Sequence, residues 1–313
     1  MWIFYPNCKK NLFLKYVLGR KYVILYYEFK TFYSLYMKKI LVLLFTCLFL
    51  FACGGNKQDV AKEEKQQNHV LVLYYSQTGA TASVAKQIKA RMNADIEEII
   101  CEKPYSGDFN ATIERCKKEQ ETGVIPAIKP IKADVQKYDI IFLGYPIWFG
   151  TYAPPVAALL DNTDFYGKMI VPFCTFGSGG LESSIKNLKA HLPKAIIMEG
   201  FGIRNARLNR MNEELDDFLI RNGYLQGEVE ALTDFAVQDE LTAADKEVFH
   251  QACDDYPFPL GIPTSVSKRF RNNGTEYRFI TRSSDDDTSA KMTVFIELRN
   301  EKDAKAEFTK VIR

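Results

Sequence analysis

The sequence predicts an α/β fold, a doubly wound five-stranded parallel sheet with helices on both faces, followed by a small α+β domain. Three observations carry this expectation. From His69 to about residue 225, short apolar runs such as VLVLYY and MIVPFC alternate with helical patterns, the rhythm of strands buried on both faces. From about residue 235 the order changes to one helix and then four strand-like runs joined by polar turns, which suits a helix packed on an antiparallel sheet. The composition, 47% hydrophobic and 26% charged, is ordinary for a globular chain.

The first part of the chain is set aside from the fold. Residues 37–53 read MKKILVLLFTCLFLFAC: a start-like Met37, two lysines, an apolar run from Ile40 to Phe51, then Ala52 and Cys53. That is the layout of a secretory signal peptide. Its last four residues, Leu50 to Cys53, resemble the lipobox of bacterial lipoproteins, in which the cysteine is acylated; an uncut anchor helix is the alternative. Residues 1–36 are rich in tyrosine and phenylalanine without a sustained period and precede a complete signal, so they read as an upstream mis-start segment. Residues 54–68 are polar and lack aromatics, the composition of a flexible tether with a reach of roughly 20 Å.

Removing the leader changes the charge. Residues 1–52 hold 8 of the 41 lysines and arginines and 1 of the 39 acidic residues, so the remainder carries 33 basic and 38 acidic groups, formally −5. A mildly acidic surface offers no footprint for nucleic acid. Of seven cysteines, Cys8 and Cys47 fall in the leader and Cys53 is the expected lipid site. Cys101, Cys116, Cys174 and Cys253 remain; none lie in a CxxC pair, which gives metal or dithiol chemistry little support. Cys101 and Cys174 fall in strand-like runs, where a buried thiol is expected.

Strands are expected at 70–75, 96–101, 139–144, 169–174 and 195–199, with 96–101 nearer an edge because it is more polar. Helices are expected at 82–92, 108–121, 153–161, 181–192 and 207–222; in the last, Leu208, Met211, Leu215, Phe218 and Leu219 share one face. The parallel-sheet domain then covers residues 69–225. In the second domain, residues 235–313, Thr242 to Asp245 reads as a capping box opening a helix, with Val248, Phe249 and Ala252 inward. Strands follow near 262–270, 275–283, 290–299 and 304–312, with turns at Asn272 to Gly274 and Ser284 to Thr288.

In an open α/β sheet a ligand lies outside the carboxyl ends of the strands, so the loops after the first, third and fourth strands draw attention. The first loop is Ser76-Gln77-Thr78-Gly79-Ala80-Thr81. It lacks the lysine of a P-loop and the three spaced glycines of a dinucleotide loop. At a helix start its N–H groups and hydroxyls suit a phosphate without a cation, although an ordinary N-capped turn has the same residue types. The second loop, Tyr145-Pro146-Ile147-Trp148-Phe149-Gly150, places a tryptophan beside another aromatic at a strand end. It is covered by a planar ligand, or the tryptophan is packed under the loop. The third loop, Thr175-Phe176-Gly177-Ser178-Gly179-Gly180, is uncharged and suits the polar edge of a flat heterocycle.

Together, and in this order, the three loops resemble the FMN-contacting segments of the flavodoxin family. The resemblance covers about residues 69–225. It implies that Ser76, Thr78, Gly79 and Thr81 hold the FMN phosphate, with Gln77 and Ala80 in the same loop. It implies that Trp148 stacks on the isoalloxazine, that Pro146, Ile147, Phe149 and Gly150 surround it, and that Thr175, Phe176, Gly177, Ser178 and Gly179 meet its edges. Members of the family switch a peptide of the second loop against flavin N5, a role for which Gly150 is the nearest permissive position. The chain departs from the small carriers in its lipid anchor, its added domain and its weak acidity. The C-terminal segment loosely resembles cystatin-like helix-plus-sheet modules, without a recognisable inhibitory loop.

The resulting expectation is an FMN-binding redox lipoprotein of a bacterial cell envelope that passes electrons between a donor and an acceptor, the flavin doing the chemistry and no catalytic residue or metal being required. An FMN-dependent NAD(P)H reductase of quinones or other small acceptors is the alternative. A binding lipoprotein with a relic flavodoxin domain is a third, opposed by the intact hydroxyl loop and Trp148.

Overall fold

The computed structural model describes residues 69–237, 240–282 and 291–313. Segment 1–36, the leader at 37–53 with Cys53, the tether at 54–68 and the turn from Ser284 to Thr288 lie outside the described residues.

The first domain is built on β1 (Val70–Tyr74), whose residues are all buried. Side chains alternate across a strand, so β1 feeds two cores. Leu71 and Leu73 join Ile141, Leu143 and Tyr145 of a neighbouring strand on one face. Val70, Val72 and Tyr74 join Ile140 and Phe142 on the other. Helix α1 (Ala80–Met92) buries Val84, Ala85 and Ile88 on the second face. After the edge strand β2 (Asp95–Glu98), α2 (Phe109–Thr122) turns Cys116 into the first. The long β3 (Ile140–Trp148) runs to an antiparallel stub, β4 (Thr151–Tyr152), and α3 (Pro154–Asn162) follows. Then come β5 (Met169–Phe176) and α4 (Leu181–His191), both α3 and α4 lying on the first face.

The parallel order is β2-β1-β3-β5, closed at the far edge by two short pieces, β6 (Ile196–Ile197) and β7 (Phe201–Arg204). These two pieces are the fifth strand, expected as a single run at 195–199. β6 pairs with Met169 and Ile170, β7 with Phe173 to Phe176, and the gap lies opposite Val171 and Pro172. Proline has no N–H to give a ladder, and that accounts for the break. β2 likewise sits earlier than its expected 96–101, because its register with β1 runs from Asp95 to Glu98.

The last helix of this domain starts later than the expected 207. Residues Asn205–Arg210 form a 3-10 stretch in which Arg207 leaves helical geometry at φ −113°, and α5 (Met211–Arg221) begins after it. Met211, Leu215, Phe218 and Leu219 of α5 pack beside α1 on the second face.

In the second domain a short β8 (Ala236–Val237) precedes α6 (Ala243–Cys253). The capping box is present: the Thr242 hydroxyl accepts from the Asp245 N–H at 3.2 Å and the Asp245 carboxylate accepts from the Thr242 N–H. Strands β9 (Ile262–Arg271), β10 (Gly274–Arg282), β11 (Met292–Arg299) and β12 (Glu307–Ile312) form an antiparallel sheet with β8, in the order β12-β11-β10-β9-β8. Phe249 and Cys253 of α6 pack against Val266, Phe279, Val294, Ile296 and Phe308. The added β8 makes five strands where four were expected. Its two residues give periodicity nothing to register.

The two sheets are joined through Arg207, which is 4% exposed. Its guanidinium donates to Glu214 of α5 at 2.6 Å, to Glu297 of β11 at 2.5 Å, and to Glu307 of β12. Burial works against its charge, yet these carboxylates hold its pKa above the ordinary arginine value. Arg210 pairs with Glu307 at 3.1 Å and Arg299 with Glu213 at 2.9 Å, so the cluster is balanced by further cations.

Replacing Arg207 with methionine leaves Glu214 without a cation among the described residues, while Glu297 and Glu307 keep only Arg299 and Arg210, and should destabilise the protein by about 3–5 kcal/mol in denaturant unfolding. A loss within about 0.5 kcal/mol, the level of an ordinary surface change, would show that the cluster holds nothing together. A second expectation concerns Asp245. Burial alone would raise its carboxyl, but Lys268 and the Thr242 hydroxyl and N–H lower it below its ordinary 3.8. A depressed folded-state pKa stabilises the protein at pH values above 3.8, and the gain disappears as the pH falls through the lowered value. Asp245→Asn should therefore cost about 1 kcal/mol near neutrality and progressively less in acid; a pH-independent difference in melting temperature would contradict this.

Candidate functional site

The carboxyl ends of β1, β3 and β5 meet at one edge of the parallel sheet, and a cavity of about 430 Å³ opens there. Gln77, Thr78 and Thr81 of the first loop line it, with Pro146, Ile147, Trp148 and Phe149 of the second and Thr175, Phe176 and Gly177 of the third. Ser76, Gly79, Ala80, Gly150, Ser178 and Gly179 lie in the same loops but not on its wall.

The first loop is held from within. The Ser76 hydroxyl accepts from the N–H groups of Gly79 at 3.2 Å and Ala82 at 3.1 Å. Gly79 caps α1 at φ +89°, a left-handed conformation that disfavours any side chain. The N–H groups of Thr78, Ala80 and Thr81 have no hydrogen-bond partner among the described residues. Free donors at a helix start, with the dipole behind them, form an anion cradle. Ser76 therefore shapes the cradle through its oxygen.

Thr81 lines the cavity, but its hydroxyl is engaged within the protein. Its side chain is 1% exposed, and its hydroxyl bonds that of Thr175 at 2.9 Å, joining the first loop to the third. Gln77 points sideways too: its amide donates to the carbonyl of Ser106 at 2.9 Å, and its oxygen accepts from Tyr75 at 2.6 Å. It fastens the first loop to the segment after β2.

The second loop is a tight hairpin. Ile147 and Trp148 pair with Tyr152 and Thr151, leaving Phe149 and Gly150 as the turn, both at positive φ, +49° and +78°. That pattern is a type I′ turn, which accepts glycine freely and strains phenylalanine. Phe149 is 52% exposed. The half-buried Trp148 meets Tyr75 and Tyr105 edge-to-face, at 5.9 and 5.0 Å between centroids. Trp148 is thus partly packed by protein and partly on the cavity wall.

One wall was missed by the sequence reading. Gly107, Asp108, Phe109, Thr112, Ile113 and Cys116, from the loop after β2 and the start of α2, line the cavity with Asn205. The available signal was positional: in a parallel sheet this loop emerges at the same edge, beside β1. It is braced by Arg115, which lies 3.8 Å over the Tyr105 ring and donates to Glu119 at 2.8 Å, while Tyr105 donates to the same carboxylate at 2.6 Å.

Among the described residues no lysine or arginine lines the cavity, and Asp108 is its only acidic side chain. Burial pushes the Cys116 thiol up to about 11, leaving it neutral at physiological pH. No group of three or more histidine, cysteine or acidic side chains suited to a metal occurs among the described residues, and none of their helices is long and apolar enough to cross a membrane. All four described cysteines are free and buried. The arrangement suits a ligand with a flat, largely apolar body and an anionic end: aromatic and aliphatic walls, an N–H cradle at one side and a peptide-lined edge at the other.

The family model described as flavodoxin matches residues 69–219. A search of the curated proteins found no match. Among solved structures, a provisionally assigned flavoprotein from Bacteroides eggerthii is 30% identical, over 48% of this chain and 96% of its own, with a TM-score of 0.42. A second, from Bacteroides uniformis, is 26% identical over 48% and 99%, with a TM-score of 0.43. A flavoprotein from Lactobacillus acidophilus in complex with FMN is 22% identical over 48% and 97%, with a TM-score of 0.41.

The Thr81–Thr175 pair predicts a particular double-mutant cycle. Thr81→Val alone leaves the Thr175 hydroxyl buried without a partner and should cost about 1–3 kcal/mol, whereas the Thr81→Val, Thr175→Val double variant should recover most of it. Additive losses in denaturant unfolding would mean that the two hydroxyls act independently.

Proposed function

From the flavodoxin-like domain at residues 69–219 we propose that the protein is an FMN-binding redox protein that transfers electrons, held at a bacterial membrane by a lipid on Cys53. The observation that carries the reading is the cradle of unpaired N–H groups at Thr78, Ala80 and Thr81, opening on an aromatic-walled cavity at the carboxyl edge of the sheet. FMN between the first and third strands is the established arrangement of flavodoxins.

The residues present fit the group. The cavity volume of about 430 Å³ falls within the range of cofactor sites. The phosphate is assigned to the Thr78 hydroxyl and the three free N–H groups, the ring to the walls of Trp148 and Phe149, and its polar edge to the loop from Phe176 to Gly179. Bound flavin supplies the electron chemistry, taking electrons from one partner and yielding them to the next. The protein's part is to hold the phosphate without a cation, to keep water from one side of the ring, and to leave the other side open to a partner. Without a basic side chain at the wall, the ring's potential is set by N–H groups and aromatic contacts. The lipid and tether, in this reading, keep the redox site near a membrane surface.

Protein beginning at residue 54 retains Trp148 as its only tryptophan, since Trp2 is removed. Titration with FMN should extinguish nearly all tryptophan emission at one-to-one stoichiometry. Thr78→Val should weaken FMN about ten- to a hundredfold, the loss of a hydrogen bond to a charged group, while leaving riboflavin affinity almost unchanged. Equal affinity of the parent protein for FMN and riboflavin would remove the first loop's role, and unquenched emission at saturation would remove that of Trp148. Oxidation of NADH or NADPH by the holoprotein without a partner protein would move the assignment to a reductase.

A further inference from the structure

The edge strand β12 of the second sheet does not end in solvent. Its outward face meets the back of the third loop. The Val311 N–H donates to the carbonyl of Ser178 at 2.8 Å. Gly179 lies so close to this strand that a Cβ there would sit 2.1 Å from the Val311 carbonyl oxygen. Arg204, at the end of β7, bridges the same two elements: its Nε donates to the Gly177 carbonyl and its Nη1 to the Phe308 carbonyl, each at 2.7 Å. Its guanidinium lies 4.1 Å from the Phe308 ring centroid.

These contacts fix more than a position. No peptide of the described residues is cis, so in each unit the C=O and the following N–H point opposite ways. With the carbonyls of Gly177 and Ser178 turned to Arg204 and β12, the N–H groups of Ser178 and Gly179 are directed away from them. Neither N–H has a hydrogen-bond partner among the described residues. Gly177, on the same stretch of backbone, forms part of the cavity wall.

We propose that β12, through Val311 and with Arg204 as the bridge, is a positioning element for the flavin loop: the C-terminal domain holds that loop from behind so that it presents N–H donors, not carbonyls, to the ring. The inference rests on the FMN reading above. Donors at the electron-rich edge of a flavin favour the reduced ring, which gains negative charge. The second domain therefore contributes to flavin affinity and raises the flavin's midpoint potential. Val311 and Arg204 are positioning residues and touch no ligand themselves.

The test uses the full chain and two variants. Val311→Pro removes the donor on the strand's outward edge; Arg204→Met keeps the packing on Phe308 and removes both bridging bonds. Either should weaken FMN and riboflavin by the same factor, about three- to tenfold, the loss of one or two neutral hydrogen bonds. The ratio of the two affinities should stay at the parent value, because the phosphate loop is untouched. The midpoint potential of bound FMN should move to more negative values, and Arg204→Lys, which retains one donor, should recover part of the shift. If either variant folds, melts at a lower temperature and binds both flavins with the parent affinity and potential, the contact is a structural seam only and the proposal is overturned. A change in FMN affinity without the matching change for riboflavin would also overturn it. A parent protein that binds neither flavin would sink the functional reading itself, a result distinct from both.

Discussion

A guanidinium taken almost wholly out of water is the constraint around which the two sheets are arranged. Arg207 cannot be neutralised, so its burial is tolerable only where carboxylates meet its planar fork from several sides. It takes them from three elements, α5, β11 and β12, which belong to both domains. The cost of leaving any of these charges unmatched ties the second sheet to the first in one orientation. The local backbone yields to that demand: the chain gives up a helical turn at Arg207 so that the side chain can reach inward.

This junction lies close to the candidate site. Arg204, Asn205 and Arg207 fall within four residues at the end of the fifth strand; Asn205 faces the cavity, Arg204 holds the glycine loop, and Arg207 anchors the second sheet. Three neighbouring residues thus serve three different surfaces. A binding site at the carboxyl edge of a parallel sheet is made of loops, and loops need support that strands do not. Here the support comes from hydroxyl pairing between Thr81 and Thr175, from Gln77 reaching the segment after β2, and from the edge of a second domain.

Much of the fold was legible because both faces of the sheet are buried. VLVLYY and the IIFL of residues 140–143 are apolar throughout, a signal that survives without partners, and the capping box at Thr242 is local in sequence. The order of the three loops was equally readable, since each follows a strong strand. What escaped depended on tertiary pairing. Pro172 sits in an otherwise good strand, and only the ladder reveals that its neighbour must break. The Thr81 hydroxyl suits a phosphate by residue type, and its pairing with Thr175, 94 positions away, was invisible in the sequence. Arg207 resembled any polar residue of an amphipathic helix, and the acids that bury it come from sequence positions up to 100 residues distant. The loop from 99 to 108 carries no motif and enters the site only because β2 lies beside β1.

The buried thiols give the molecule a property of another sort. Burial pushes Cys101 and Cys116 up to about 11 and Cys253 to about 12, and Cys174, in the inner strand β5, is raised as well. A thiol reagent reacts with exposed thiolate, and these four described cysteines supply almost none. The four cysteines are divided between the domains: Cys101, Cys116 and Cys174 share one core of the parallel sheet, and Cys253, at the end of α6, lies in the core of the second domain. Cys101, Cys174 and Cys253, away from the cavity that Cys116 borders, are silent reporters that become reactive only when their own layer opens. They give the described domains a map of local unfolding, readable domain by domain, without any label having been added.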